Sequence, residues 1–234
     1  MVLDVEAYKG MEIQANRTSL HRGFSLVELI AVIAIILILA GVAAPNFIRA
    51  LYNARLRGAG NDFASMVQLC RIRAVQDSRY YGVYLHAGSG TSPQEVFVDI
   101  YPQNVNGASG SGGLTIDPKD PVAVIPAEVT QQSPTSAPNT TGLAQLLLPT
   151  NPNSLVPTDG SSIATPITFG PEGLPCKPLA VTGGTVCNSR GGAGAVAYWV
   201  FLQDTRTQAW EAVTITPAGR IQRWTYSSGT WSKL

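Results

Sequence analysis

The most unusual chemical group in this sequence is Glu28, a carboxylate near the start of the apolar run HRGFSLVELIAVIAIILILAGVAAPNF at residues 21 to 47. It is the only charge between Phe24 and Ala44. An unpaired charge costs roughly 2.5 to 3.5 kcal/mol at the centre of a bilayer and less near its edge. Glu28 therefore needs either a cationic partner or a place at a membrane interface, where its side chain can reach water.

Residues that could carry catalysis are few. The chain has only two histidines, His21 and His86, and it contains no GxSxG, P-loop, HExxH or DxDxDG pattern. If the N-terminal residues are removed, any nucleophile and base pair with histidine would depend on His86 alone. We therefore predict that the chain is not an enzyme and that it holds no metal and no cofactor.

The three cysteines show no CxxC spacing, which argues against zinc-ribbon and haem-attachment sites. Cys176 and Cys187 lie in a Gly- and Pro-rich segment and could form a disulfide, which would fit an oxidising compartment; the alternative is that both stay reduced. Cys70 falls within an apolar helical stripe, where we expect a small buried side chain instead of a reactive thiol.

Length and charge limit the remaining classes. The 234 residues have room for one globular domain plus an appended segment. Charged residues are 13% of the chain and the formal net charge is +1, so no global field marks a nucleic-acid binder.

The first 44 residues divide into a polar part and an apolar part. Residues 1–23 carry no net charge, whereas Phe24 to Ala44 would span about 30 Å as a helix, the thickness of a hydrocarbon core. The basic residues Arg17 and Arg22 should stay in the cytoplasm, with the rest of the chain outside. A conventional signal peptide cut after AGVAA is the alternative, but its core would not need Glu28.

The residues around Gly23 resemble the class III signal of type IV pilins and pseudopilins. That signal has a Gly before the cut, a Phe after it, a Glu five residues in and a Pro after the apolar half, which here are Gly23, Phe24, Glu28 and Pro45. The resemblance implies that a prepilin peptidase cuts between Gly23 and Phe24, that the new amine is methylated, and that the apolar helix is kept.

The resemblance also implies a role for Glu28. In a filament its carboxylate can meet the α-amino cation of Phe24 on a neighbouring subunit, in an apolar bundle where opposite charges attract strongly. The alternative is a charge that is tolerated because it reaches the membrane surface.

An amphipathic helix should follow Pro45, which we expect to kink the helix without necessarily ending it. Apolar residues recur at helical spacing to about Arg79, with Gly58 and Gly60 as points of local softening. The residues of this stripe are Ala59, Phe63, Met66, Val67, Cys70 and Ala74.

Strand patterns occupy the rest of the chain outside a central region. We predict strands at 80–86 and 95–101, and a late hairpin formed by 195–203 and 209–216. The turn TPAG then leads into a last strand. Residues 102–165 are rich in Gly, Ser, Pro, Thr and Asn and predict long loops with a few short strands, such as one at 121–129.

The predicted fold class is α+β, the type IV pilin fold, in which a long N-terminal helix packs on an antiparallel sheet. Its parts are a cleaved leader at 1–23, a transmembrane and assembly helix at 24–51, and a soluble domain at 52–234. The expected location is the inner membrane, crossed once, with the soluble domain in the periplasm.

Three further stretches resemble the GspH/FimT group of minor pseudopilins and minor pilins: NARLRGAGNDFASMVQLCRIRAVQDSRYYGVYL, ITFGPEG and VTITPAGRIQRW. The resemblance implies a minor subunit of a type IV pilus or a type II secretion pseudopilus. Its partners would be other pilin subunits, the prepilin peptidase and the inner membrane.

FimT-like members of that group also suggest an alternative function, DNA binding for DNA uptake. Here the Gly-Arg-x-x-Arg spacing at Gly219 to Arg223 is one residue longer than their Gly-Arg-x-Arg segment. Cations that could neutralise phosphates and rings that could stack on bases are present, and the residues named for DNA are Arg220, Arg223, Trp224 and Lys233. The other interpretation is that the aromatic residues pack a final hairpin with solvated cations at its edge.

Overall fold

The computed structural model describes residues 25–86, 93–101, 120–147, 153–154, 166–181, 184–188 and 196–234. The chain divides into two compact units, with the boundary between Pro45 and Asn46. One helix, α1 (Leu26–Gln76), contributes residues to both. The predicted α+β architecture, a long N-terminal helix packed on antiparallel sheets, is confirmed and is consistent with the type IV pilin fold.

Helix α1 is unbroken through Pro45, Gly58 and Gly60. It ends at Gln76, three residues before the predicted end at Arg79. Ser78 has a positive φ of 52°, and the N–H of Arg79 donates to the carbonyl of Ala74, a pattern that satisfies the last carbonyls of a helix.

Two sheets follow, instead of the single sheet that we expected. The elements are β1 (Tyr81–His86), β2 (Gln94–Ile100), β3 (Val122–Ile125), β4 (Val129–Gln132), α2 (Thr140–Leu147), β5 (Asn153–Ser154), β6 (Ile167–Phe169), β7 (Pro175–Val181), β8 (Gly184–Asn188), β9 (Tyr198–Asp204), β10 (Trp210–Ile215), β11 (Ile221–Ser227) and β12 (Thr230–Lys233). The first sheet has the order β3-β2-β1-β6-β7-β8 and the second β12-β11-β10-β9-β4. Strand β5 adds a short parallel pairing with β9.

The second half of α1 forms the main core together with both sheets. All six predicted stripe residues are buried, and Leu56 joins them. They pack against apolar side chains of the first sheet, such as Val83 and Val96, and of the second, such as Val200 and Val213. This packing explains why one helix can support two sheets.

A second core lies on the other face of the second sheet. Alternate residues of β9 and β10, including Trp199, Phe201 and Ala212, pack with Trp224 of β11 and with Leu143 of α2. Helix α2 lies within the region predicted as long loops, and so do β3, β4 and β5. The segments 102–119, 148–152 and 155–165 of that region lie outside the described residues.

Candidate functional site

The first half of α1 presents apolar side chains that no other residue in the described part of the chain covers. Every residue from 25 to 50 is exposed, with Leu26 and Val27 at 72%. An 18-residue window of this helix has a mean hydropathy of 3.0, and none of it is buried. Within the described residues it is one helix that is long and apolar enough to cross a membrane, by length and composition.

Glu28 lies in the first turn of α1. Here the helix has N–H groups without partners inside the helix, and its dipole favours a negative charge. Gly23 and Phe24, the predicted cleavage and methylation residues, lie outside the described residues. Along the chain Glu28 follows Phe24 by four positions, about one helical turn.

Pro45 lies inside the helix, at the end of the first unit. Because proline has no N–H, it cannot donate to the carbonyl of Gly41, four residues earlier. A Cβ on Gly41 would meet nothing within 4 Å, so this part of the helix has open space around it.

Of the residues predicted for DNA, Arg223 is held by protein groups. Its Nη2 lies 2.5 Å from Glu211 Oε1 and its Nε donates to the same oxygen at 2.7 Å. Nη2 also donates to the Arg57 carbonyl at 2.9 Å, and Nη1 donates to Asn61 Oδ1 at 3.3 Å. A phosphate would have to compete with this network.

Trp224 points away from α1 into the second core. It is 8% exposed, and its Nε1 donates to Thr214 Oγ1 at 2.8 Å. A ring that is buried in this way cannot stack on a base while the strand keeps its fold. For Trp224 the structure shows the other interpretation, an aromatic side chain that packs the sheet.

Arg220 and Lys233 are exposed, but they are not brought together. Arg220 lies in the turn before β11, where its N–H donates to Thr216 Oγ1. Lys233 lies beside Arg223 in a shallow groove between α1 and the last strands. The groove is lined by Asn61, Ala64, Ser65, Gln68, Ile221, Gln222, Arg223, Lys233 and Leu234.

Glu211 is a buried charge that sequence reasoning missed. It is 1% exposed, and its Oε2 has no hydrogen-bond partner among the described residues. Burial raises the pKa of this carboxyl, and the bonds from Arg223 oppose that change. The signal that could have found it is the alternation of Glu211, Val213 and Ile215 on one face of β10.

Gly60 makes room for that carboxylate. A Cβ at Gly60 would lie closer to the Glu211 carboxylate than real Cβ atoms approach other atoms, whereas a Cβ at Gly58 would meet nothing within 4 Å. Gly60 therefore has a packing role that we did not predict, and the local softening expected at both glycines stays a prediction. At this position the helix and β10 come into close contact.

The turns at Gly173 and Gly219 both lie beside Arg71. Arg71 Nη1 donates to the carbonyl of Gly219 at 2.9 Å. Gly173 and Gly219 have positive φ angles of 71° and 74°, and a Cβ on Gly219 would lie 2.9 Å from the Gly173 carbonyl oxygen. Because both φ angles are positive, only glycine adopts these turns without strain. The two turns can therefore pack closely together beside Arg71 of the helix.

The cysteines fall into two groups. Cys70 is a buried free thiol, and burial raises its pKa, so the prediction of an unreactive side chain in the core is confirmed. Cys176 is disulfide-bonded. The side chain of Cys187 lies outside the described residues, although its backbone pairs with Pro178, two positions from Cys176. The pairing of Cys176 with Cys187 stays a prediction.

Among the described residues, no group of three or more His, Cys, Asp or Glu side chains is arranged to hold a metal ion.

Comparison with known families supports the interpretation of the N-terminus. The prokaryotic N-terminal methylation motif matches residues 18–44, which include the predicted cut and the apolar segment. No curated protein and no solved structure matches the chain. The match supports a type IV pilin-like prepilin, a class of structural subunits, and the single apolar helix supports membrane anchoring.

Proposed function

We propose that the chain is a minor pilin or pseudopilin that is assembled into a type IV pilus or a type II secretion pseudopilus. A prepilin peptidase removes residues 1–23 by cutting between Gly23 and Phe24, and the new amine is methylated. Residues 24–51 then anchor the subunit in the inner membrane and later pack in the filament. Residues 52–234 form the soluble domain in the periplasm.

The observation that carries this proposal is the agreement between the methylation motif and the exposed helix. The motif matches residues 18–44, and within that range the helix from Leu26 buries none of its apolar window against the described residues. Burying such surface contributes roughly 25 cal/mol per Å². A membrane and then a bundle of the apolar helices of other pilin subunits are two successive environments that can cover it.

In this proposal Glu28 selects the axial position of each subunit. Its carboxylate meets the α-amino cation of Phe24 on a neighbour within an apolar bundle. Removing one partner of a buried ion pair costs about 3 to 5 kcal/mol, because the other charge is left buried alone. A subunit that enters the filament at another axial position would leave both charges unpaired and would not be incorporated.

The assignment to the GspH/FimT group rests on the resemblance of three stretches of sequence, and two of these form the turns at Gly173 and Gly219 beside Arg71. The contacts with Arg71 give these turns a structural role in the subunit. They do not require DNA. Since Arg223 is engaged by Glu211 and Trp224 is buried, we place the DNA-binding alternative second.

The role of Glu28 can be tested with a Glu28→Ala variant expressed in cells that assemble the filament. We expect normal cleavage at Gly23 and loss of the subunit from sheared filaments, read by immunoblotting. An Asp62→Ala variant is the matched control, because Asp62 is an exposed carboxylate further along the same helix. Normal incorporation of the Glu28→Ala chain would refute the proposed ion pair.

A further inference from the structure

Two arginines pack against one tyrosine in the second unit, and a third arginine lies one helical turn away on the same side of α1. The guanidinium carbon of Arg206 lies 4.9 Å from the centroid of the Tyr52 ring, and that of Arg55 lies 5.8 Å from it. Arg206 also donates a hydrogen bond to the Tyr52 hydroxyl. Arg49 precedes Tyr52 by three residues on α1, so it lies on the same side of the helix one turn earlier.

Two turns hold this cluster in place. Asp204 Oδ1 accepts the N–H groups of Arg206 at 2.9 Å and Thr207 at 2.7 Å. The N–H of Thr205 donates to the Glu128 carbonyl at 2.8 Å, which ties the β9–β10 turn to the β3–β4 turn. Glu128 Oε1 in turn lies 2.7 Å from Arg55 Nη1.

The carboxylates near the cluster do not cancel its charge. Two carboxylates, the buried Asp204 and Glu128, stand against three arginines, so one positive charge remains. Arg49, Arg55 and Arg206 are all exposed. Within the described part of the chain, no hydrogen bond or ion pair holds the Arg49 side chain.

The cluster begins where the exposed apolar surface of α1 ends. Phe47, Ile48 and Leu51 are 71%, 49% and 43% exposed, and Arg49 and Tyr52 alternate with them. Tyrosine is enriched at membrane interfaces because its ring is apolar and its hydroxyl is polar. Guanidinium groups match the geometry of phosphate oxygens and are attracted to anionic leaflets.

We propose that Arg49, Arg55 and Arg206, arranged around Tyr52, form a docking surface for the phosphates of anionic phospholipids. This inference rests on the proposed membrane anchor. It adds that the soluble domain is held against the membrane surface by lipid charge while the subunit awaits assembly. Each arginine near an anionic surface strengthens such docking about five-fold.

Hydrogen exchange of the full chain in lipid nanodiscs tests the proposal. The reporters are the amides of residues 205–208, whose hydrogen bonds open when the β9–β10 turn opens. We expect these amides to exchange several-fold more slowly in discs that contain phosphatidylglycerol than in discs of phosphatidylcholine alone. Equal exchange in both kinds of disc would overturn the proposal.

Variants at Arg49 give the sharpest comparison, since this side chain can be changed without breaking a contact of the described fold. Arg49→Gln should lose a large part of the difference between the two lipids, about five-fold for one charge, and Arg49→Lys should keep it. An Arg79→Gln variant, at the other end of α1, should behave as the wild type. A full lipid effect in Arg49→Gln would contradict the assignment.

Two further arms separate the alternatives. Inorganic phosphate added to neutral discs should leave the exchange rate of the reporter amides unchanged. Slower exchange with phosphate alone would mean that the cluster binds a free anion and not a membrane surface. Co-elution of the chain with both kinds of disc measures the anchor itself. A chain that enters neither disc would refute the proposed anchor, whereas a chain that enters both without a lipid effect would refute only this inference.

Discussion

The two halves of α1 use apolar residues for opposite purposes. From Leu26 to Pro45 the helix exposes its apolar side chains all round, and none of them is covered within the described parts of the chain. From Leu56 to Ala74 the apolar residues form one stripe, which the two sheets bury. The second half stabilises the fold, while the first half leaves an apolar surface that fits membrane anchoring. One helix thus joins the folding of the subunit to its assembly.

Truncation of one apolar side chain in each half is the strongest way to break this comparison. Phe63→Ala should lower the free energy of unfolding by about 3 to 5 kcal/mol, because Phe63 is fully buried. Ile36→Ala should leave it unchanged, since Ile36 is 57% exposed.

Denaturation of the full chain in neutral detergent, followed by tryptophan fluorescence, would measure both variants. All four tryptophans lie between Trp199 and Trp231, so the signal reports the second unit. Equal losses in the two variants would mean that the halves are not energetically distinct.

Two glycines of α1, two residues apart, should respond with opposite signs. Gly60→Ala should destabilise the fold by about 1 to 3 kcal/mol, because the new methyl group displaces the Glu211 carboxylate. Gly58→Ala should stabilise it by up to about 1 kcal/mol, because alanine favours helix and the site is open. Chemical denaturation measures both, and destabilisation by Gly58→Ala would contradict the packing described here.

Removal of the Arg71 side-chain bond should have a smaller effect. Arg71→Gln should cost about 1 kcal/mol, since the hydrogen bond to the Gly219 carbonyl is lost. Arg79→Gln is the control, because Arg79 is exposed beyond the end of the helix. If both variants unfold at the same denaturant concentration as the wild type, Arg71 does not stabilise the turns at Gly173 and Gly219.

The smallest effect should be a pH dependence that comes from Glu211. Burial raises the pKa of this carboxyl above its ordinary 4.5, so the folded chain binds the proton more tightly than the unfolded chain. Its contribution to stability therefore falls as pH rises from 4.5 through the raised value. As pH rises across that window, the free energy of unfolding of the wild type should fall relative to that of Glu211→Gln. A rise relative to the variant would contradict the expected sign.

The spacing of apolar residues along the sequence predicted the helices and strands whose buried faces repeat at regular intervals. The stripe from Ala59 to Ala74 is visible because its spacing of three and four is the helix period, and β1 and β2 follow from alternation. The late hairpin follows from two strand patterns joined by a short polar turn.

What the sequence could not predict depends on contacts between distant residues. Glu211 is buried because Gly60, 151 positions earlier, leaves it space, and Trp224 is buried because α2 covers the far face of the second sheet. Alternation shows that Trp224 and Arg223 point to opposite faces, but it does not show that both faces are covered. The division into two sheets likewise depends on which strands pair.

The most direct test of the account is mass spectrometry of the mature chain isolated from the membranes of its own cells. We predict a polypeptide that begins at Phe24, carries an N-methyl group and retains the apolar helix through Pro45. A chain that begins after the apolar segment, or one that still carries residues 1–23 in the assembled state, would contradict the central claim.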